Sequence, residues 1–499
     1  MTMTNMLPLL VLGSSLLVAL IIFMVPEPRY KLRTTVNLLA AVIKLILVAG
    51  MAWGVLQGGF YETRFPVMPG LDFVLRADSL SVVFAGLSAL LWLLTTCYAI
   101  GYLKGSANQR RFFGFFSFCV ASTLGIALAG NLFTFLLFYE ILTLSTYPLV
   151  VHRGTEAALR AGKQYLIYTL SGGAVMMLGV VWLQAGFGDL DFIRGGHREV
   201  LAGADTRVLV AIFMLLIGGL AVKAAIVPLH GWLPSAMVAP APVSALLHAV
   251  AVVKAGVFGI VRVVYDLFGS DFAAELGLLL PLGILAAFTI LYGSVRALYQ
   301  VDLKRRLAFS TVSQVSYITL GVTLLGPLAT VGAVVHLIHQ GVMKITLFFC
   351  AGIYAETLGI HRIDELDGAG RRMPVTSVVF TVGALGMIGL PPLAGFISKW
   401  YLGLGALEAG MVWVIPVLVA STMLNAAYFL PIVHRLWFRP QRQGADWAAA
   451  VPGRPECHRA MLWPAIITGL FVVLLGLLAS LPMSPLQWGL FMAEQEYGL

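Results

Sequence analysis

Five lysines stand within stretches of the chain that are otherwise apolar enough to lie in a bilayer: Lys44, Lys223, Lys254, Lys344 and Lys399. An ionised side chain at mid-membrane costs about 2.5–3.5 kcal/mol on insertion scales, so together the five cost on the order of 12–17 kcal/mol before any partner is counted. The clearest acid at similar depth is Glu140, in the segment FYEILTLSTYPLV, and one carboxylate cannot neutralise five ammonium groups. The chemistry that suits such a set is proton exchange. A lysine removed from water gives up its proton more readily than one in solvent, and a neighbouring carboxylate holds that proton in place. Glu140 beside Lys223 would therefore act as a latch, with coupled sites passing the proton onward when the pair separates.

Two histidines extend the set, since imidazole titrates near neutrality. In one continuous helix His248 would lie about 9 Å from Lys254 along the axis and on a different face, so that water would have to bridge them. His336 and Lys344 are eight residues apart, about 12 Å of rise and roughly 80° of rotation, and can border one cavity, whereas His339 points more nearly away. Plainer readings stand beside these. His230 and His339 read as packed core histidines, and Glu140 with Lys223 could be a static bridge. Lys44 reads as facing another subunit or snorkelling to the interface, as does Arg262 near a span end. Lys254 and Lys399 read as functional.

The elements that carry these residues are membrane helices. Of 499 residues 60% are hydrophobic and only 11% charged, against roughly a quarter charged in a soluble domain, which excludes a soluble enzyme. Apolar windows predict about fourteen spans: 6–25, 34–57, 78–102, 112–130, 132–151, 163–186, 207–228, 242–265, 275–295, 307–326, 328–354, 374–405, 411–434 and 461–481. The fold class expected is an all-α polytopic membrane protein. The first span lacks a preceding basic residue and is followed by Pro26, Glu27 and Pro28, so it reads as a retained helix and not as a signal peptide.

Four singly placed cysteines give no ligand spacing, and no metal, haem or iron–sulfur cofactor is expected. The net charge of +9 is spread through short loops, which argues against nucleic acid. Twenty-one basic residues fall in loops after odd-numbered spans, Arg442 and Arg454 among them, and five in loops after even-numbered ones. The positive-inside rule then puts odd loops in the cytoplasm and both termini on the non-cytoplasmic side of a bacterial-type cell membrane.

A short repeat divides the chain. Pro228-Leu229-His230-Gly231-Trp232-Leu233 in span seven and Pro392-Leu393-Ala394-Gly395-Phe396-Ile397 in span twelve share the pattern P-L-x-G-aromatic-aliphatic. Copies five spans apart must run in opposite directions across the membrane, the inverted-repeat plan of transporters. The units expected are 1–111 (spans one to three), 112–268 and 269–440 (two inverted five-helix units), and 441–499 (a loop and the last helix). Each copy also contains helix breakers, Pro228, Pro234, Pro240 and Pro242 in the first and Gly389, Pro391, Pro392 and Gly395 in the second. Backbone freed at membrane depth persists only against protein or a wetted cavity, so paired breaks in spans seven and twelve point to a hydrated pathway.

The segment VKAAIVPLHGWLPSAMVAPAPVSALLHAVAVVKAG, ending at Gly256, closely resembles the signature of the antiporter-like membrane subunits shared by respiratory complex I and Mrp-type multisubunit cation/proton antiporters. Supporting similarity covers FYE around Glu140, DLKRRLAFSTVSQ at 302–314, HLIHQGVMKITLFF, and GLPPLAGFISK ending at Lys399. The resemblance implies a fourteen-helix core with broken helices seven and twelve, Glu140 paired with Lys223, Lys254 as central relay lysine, and Lys399 as the terminal relay residue. It also implies His248 as an occasional companion of the central lysine. Gln340 stands where the commonest pattern has a second histidine, which leaves His336 and Lys344 as the pathway residues of span eleven.

Lysine at 399 and the short stretch after the last span resemble most the D-type subunit of an Mrp antiporter. The function expected is proton translocation coupled to sodium or another monovalent cation, with other membrane subunits and the lipid bilayer as partners. The alternative is a proton-pumping subunit of a complex I-like oxidoreductase or membrane-bound hydrogenase. In neither case does the chain itself carry redox chemistry. A vestigial structural subunit and an autonomous exchanger are further alternatives, separated by whether Lys254→Ala abolishes transport and whether the single chain transports alone.

Overall fold

The computed structural model describes residues 3–441 and 456–498; Arg442 and Arg454, counted above among the basic loop residues, lie outside them. The chain is a polytopic helical membrane protein. Among the described residues eleven helices are long and apolar enough to cross a membrane. They are α1 (Met3–Met24), α2 (Tyr30–Leu56), α3 (Ser79–Tyr102), α5 (Leu132–Val150), α6 (Glu156–Phe187), α7 (Thr206–Lys223), the run Ala241–Phe268, α10 (Leu279–Leu298), α12 (Pro327–Leu358), α15 (Val414–Phe438) and α16 (Arg459–Leu477). The other predicted spans correspond to two more polar helices, α4 (Gln109–Ala127) and α11 (Leu303–Val322), and to a pair of fifteen-residue helices, α13 (Pro374–Ile388) and α14 (Ala394–Glu408).

The prolines act as expected. α7 ends at Lys223, and the chain then turns through Ala225 at φ +56° and a cis Val227–Pro228 bond before the short helix Trp232–Ser235. Span seven is therefore not helical up to residue 228, and Lys223 closes its helix. α13 ends at Gly389, whose φ of +92° suits only glycine, and the chain passes a cis Pro391–Pro392 bond before α14.

Span eight differs from expectation. It is divided into α8 (Ala241–Ala249) and α9 (Val252–Arg262), with Val250 and Ala251 off helical geometry, followed by a π-helical turn at Val263–Phe268. No glycine or proline marks this break, so the continuous-helix spacing of His248 and Lys254 does not hold. The break is packed against α12: a Cβ on Gly341 would lie 2.9 Å from the Ala249 carbonyl, so α12 meets the interrupted backbone directly.

One loop also folds. Residues after α2 form an antiparallel hairpin, β1 (Tyr61–Met68) and β2 (Leu71–Ala77), whose polar network joins Arg64 to Asp72 and Asp191, and Arg76 to Glu62 and Asp191. A final amphipathic helix, α17 (Pro485–Tyr497), packs at this end through Trp488, whose indole donates to Ser79 O at 3.0 Å. Contacts sort the connections into two ends, as the span order requires. The hairpin meets 129–131 and 189–193 at one end, while Asp302 bridges Arg362 and Arg435 pairs with Asp367 at the other.

Two buried cations depart from their expected placement. Lys44 is fully buried in α2 with its ammonium 3.3 Å from the centroid of the Trp92 ring, so it neither faces a partner nor snorkels. Arg262 is 2% exposed and paired with Asp78 and Asp266, each at 2.7 Å. It is an internal ion-pair centre instead of an interfacial arginine, and Asp266 is a second acid at the end of span eight that sequence reading passed over.

Candidate functional site

The interrupted helices bring the buried lysines to backbone carbonyls. Lys223, at the end of α7, donates to the Tyr139 carbonyl on α5 and stands 3.3 Å from the Tyr139 ring centroid. Tyr139 is itself fixed by its hydroxyl donating to Gly219 O at 3.1 Å. Glu140, the next residue, turns its half-buried carboxylate toward α6, where a Cβ at Gly173 would lie 1.8 Å from Oε1. Lys223 of α7 thus meets α5 at the turn that carries Glu140, but the ammonium is hydrogen-bonded to the backbone and not to the carboxylate.

The break in span seven carries a neutral donor: the indole N–H of Trp232 donates to Val222 O at 2.7 Å, a carbonyl that also accepts from Ala225 N at 3.2 Å. Gly256 lets α9 approach closely, since a Cβ there would fall 2.2 Å from the amide nitrogen of Ala224. Lys254, two residues before Gly256 and fully buried, donates to Leu337 O of α12 at 2.8 Å. His248 on α8 is also fully buried, its ring stacked on Phe348 with centroids 4.6 Å apart and neither ring nitrogen bonded to protein.

α12 carries the next members. His336 lies between the Gln314 carbonyl, 3.1 Å from Nε2, and the Ser398 hydroxyl, 2.9 Å from Nδ1. A carbonyl only accepts, so Nε2 bears a proton and neutral His336 accepts from Ser398 at Nδ1. A second proton on Nδ1 is accommodated too, because Ser398 can turn its own hydrogen to Gly395 O at 3.3 Å. His336 therefore has hydrogen-bond partners ready in both charge states. Lys344 donates to Ser310 Oγ at 2.7 Å and Leu307 O at 3.2 Å.

Lys399 closes the second break. Its ammonium donates to Met387 O at 3.0 Å and Ile388 O at 2.9 Å, the last carbonyls of α13, with Thr422 Oγ1 at 3.5 Å. Of the helix-breaking prolines, Pro228 and Pro234 flank the turn after Lys223, and Pro391 and Pro392 form the turn between Lys399's carbonyl partners and α14.

Several buried polar atoms along this row have no protein partner: both ring nitrogens of His248 and His339, both amide atoms of Gln314 and Gln340, and Glu140 Oε1. Polar groups left so in an apolar interior cost about 1–3 kcal/mol each, a penalty that water molecules relieve. The sequence signalled part of this set. Serines and Gln314 cluster in STVSQVSY of span ten, too polar for a lipid-facing helix, yet Ser310, Gln314 and Tyr317 were not singled out as pathway residues.

Comparison with known proteins follows the same lines. The transmembrane family model of NADH:quinone oxidoreductase and Mrp antiporters matches residues 129–425. The chain is 36% identical to NADH-quinone oxidoreductase subunit N of Desulforudis audaxviator, with 86% of each chain covered. It is 28% identical to the D-type component of the Na(+)/H(+) antiporter of Bacillus subtilis, covering 81% of this chain and 80% of the other. Among solved structures it superposes on a chain of the Mrp complex from Dietzia sp. DQ12-45-1b with a TM-score of 0.88 and 25% identity, covering 100% of this chain and 98% of that one.

Proposed function

The chain belongs to the NADH:quinone oxidoreductase/Mrp antiporter transmembrane family, and we propose that within it the chain is the proton-translocating, D-type subunit of a multisubunit sodium/proton antiporter. The observation that carries the reading is the row of buried ammonium groups held by carbonyls and hydroxyls, Lys223, Lys254 and Lys399 at or near helix interruptions and Lys344 within α12. A lysine fixed by a carboxylate is a structural pair. A lysine held by neutral acceptors loses its proton without leaving a buried anion behind, which is what a relay needs.

Glu140 and Lys223 form the entry, Lys254 with His248 the centre, His336 and Lys344 the connection, and Lys399 the terminal group. The bundle works in a multi-pass position in a bacterial-type cell membrane, both termini on the non-cytoplasmic side, beside other membrane subunits. Protons, and sodium through the assembly, are the transported species.

The 36% identity to an NADH-quinone oxidoreductase subunit N supports a second reading, a proton-pumping subunit of a complex I-like assembly. Both readings are tested with the assembled complex in sealed vesicles. Under the first, a sodium gradient drives proton movement without an electron donor, and Lys254→Ala abolishes it while the complex still assembles. Proton movement that requires NADH and a quinone supports the second. A Lys254→Ala complex that transports at the wild-type rate sinks both.

A further inference from the structure

Lys344 and Lys399 are joined by side chains that the relay reading does not use. Lys344 donates to Ser310 Oγ at 2.7 Å, Ser310 lies 2.8 Å from the Tyr428 hydroxyl, and that hydroxyl bonds Asn425 Oδ1. Asn425 Nδ2 in turn reaches Met387 O at 3.4 Å, the same carbonyl that accepts from Lys399. Ser310, Tyr428, Asn425 and Lys344 are all fully buried.

The direction of every hydrogen in this chain is fixed by acceptors that cannot donate. The Met387 carbonyl requires the amide nitrogen of Asn425 to face it, so Oδ1 faces Tyr428 and takes its phenolic hydrogen. With that hydrogen committed, Ser310 donates to Tyr428, and Ser310 Oγ is left free to accept from Lys344. The donors from Lys344 to Asn425 therefore point one way, toward the Met387 carbonyl, into which Lys399 donates from the other side. The Arg306 guanidinium anchors the Tyr428 backbone through its carbonyl at 3.0 Å, holding the phenol in this register.

We propose that Ser310 and Tyr428 are proton-carrying residues between Lys344 and Lys399, with Asn425 as the positioning residue that orients them; the proposal rests on the relay reading above. The step balances without other reactants than water. Lys344 passes a proton to Ser310 Oγ as Ser310 passes its own to the Tyr428 oxygen, and Tyr428 passes its phenolic proton to a water bonded to neutral Lys399, which takes one from that water. Lys344 ends one proton poorer and Lys399 one richer. An amide oxygen is too weak a base to take the proton itself, so Asn425 turns aside for the transfer and resets the chain afterwards.

The test uses the assembled complex in vesicles with Tyr428→Phe, Lys399→Ala, and Tyr428 replaced by a fluorinated tyrosine, whose more acidic hydroxyl keeps the shape of the site. Tyr428→Phe is expected to slow proton transport at least tenfold, and the fluorinated variant to move the pH profile of transport to lower pH. Should Tyr428→Phe fail to assemble, the fluorinated variant decides alone. A wild-type rate in Tyr428→Phe, or an unmoved profile in the fluorinated variant, while Lys399→Ala is inactive, overturns the link only. Wild-type rates in Tyr428→Phe and Lys399→Ala together overturn the relay reading beneath it.

Discussion

Lys399 and Asn425 donate to one carbonyl, that of Met387, at 3.0 and 3.4 Å. The last turn of α13 is thus held jointly by a group that titrates and a group that does not. Lys399 additionally covers Ile388 O, so its side chain serves as the cap of a helix that would otherwise expose carbonyls in the membrane.

This double role separates two substitutions. Lys399→Met leaves Ile388 O without a donor, at about 1–3 kcal/mol, and Met387 O with Asn425 alone, and is expected to weaken the assembled complex as well as stop transport. Lys399→Arg keeps donors in place but never releases its proton. It is expected to melt near the wild type and transport nothing, measured by thermal denaturation in detergent and proton flux in vesicles. Arginine at wild-type flux would exclude titration of this position.

Gly256 sets the distance between the central lysine and the end of α7. A Cβ there meets backbone, at 2.2 Å from Ala224 N and 2.7 Å from Lys223 C, which cannot rotate away. Gly256→Ala is therefore expected to push α9 off α7 and destabilise the protein by about 1–3 kcal/mol, the usual scale of overpacking. The measurement is the melting temperature, with unchanged melting counting against the close approach.

The amphipathic helix α17 should respond to pH. Burial, with Asp266 nearby, pushes the Glu496 carboxyl up to about 7, beside a cavity of about 510 Å³ that Arg262 and Asp266 also line. A carboxyl that binds its proton more tightly when folded stabilises most at low pH. That contribution fades as pH rises from the ordinary glutamate range, about 4.3, through 7. Protection factors in Pro485–Tyr497, that is exchange rates corrected for the intrinsic pH dependence of amide exchange, are accordingly expected to be lower at about pH 8 than at about pH 5, and Glu496→Gln to remove much of that difference. Equal protection factors at both pH values in the unsubstituted protein would refute it.

What the sequence disclosed follows from which signals are local. The charges at 223, 254, 344 and 399 stand out because any ion in an apolar run is costly, and Pro228 and Pro392 break helices whatever surrounds them. The division of span eight at Val250 and Ala251 was not legible, since neither residue is a helix breaker and the backbone packed against the break, at Gly341, lies some ninety residues away. Lys44 and Arg262 were misjudged for the same reason. The partners that bury them, Trp92 on α3 and Asp78 at its start, are brought close only by the packed bundle. The hairpin at Tyr61–Ala77 was passed over among loops because its strands are short and partly charged. The hydroxyl that receives Lys344, Ser310 on α11, and the Tyr428 hydroxyl behind it on α15 could not have been named by any spacing within span eleven.

The two interruptions repeat a backbone but not a division of labour. An indole, which keeps its hydrogen at every physiological acidity, seals the first at Val222. The second is sealed by an amine. If the two lysines exchange protons as proposed, discharge of Lys223 leaves the first elbow's Trp232–Val222 closure in place, whereas discharge of Lys399 weakens the clasp on its own elbow, making the latter half the one whose shape answers to its protonation.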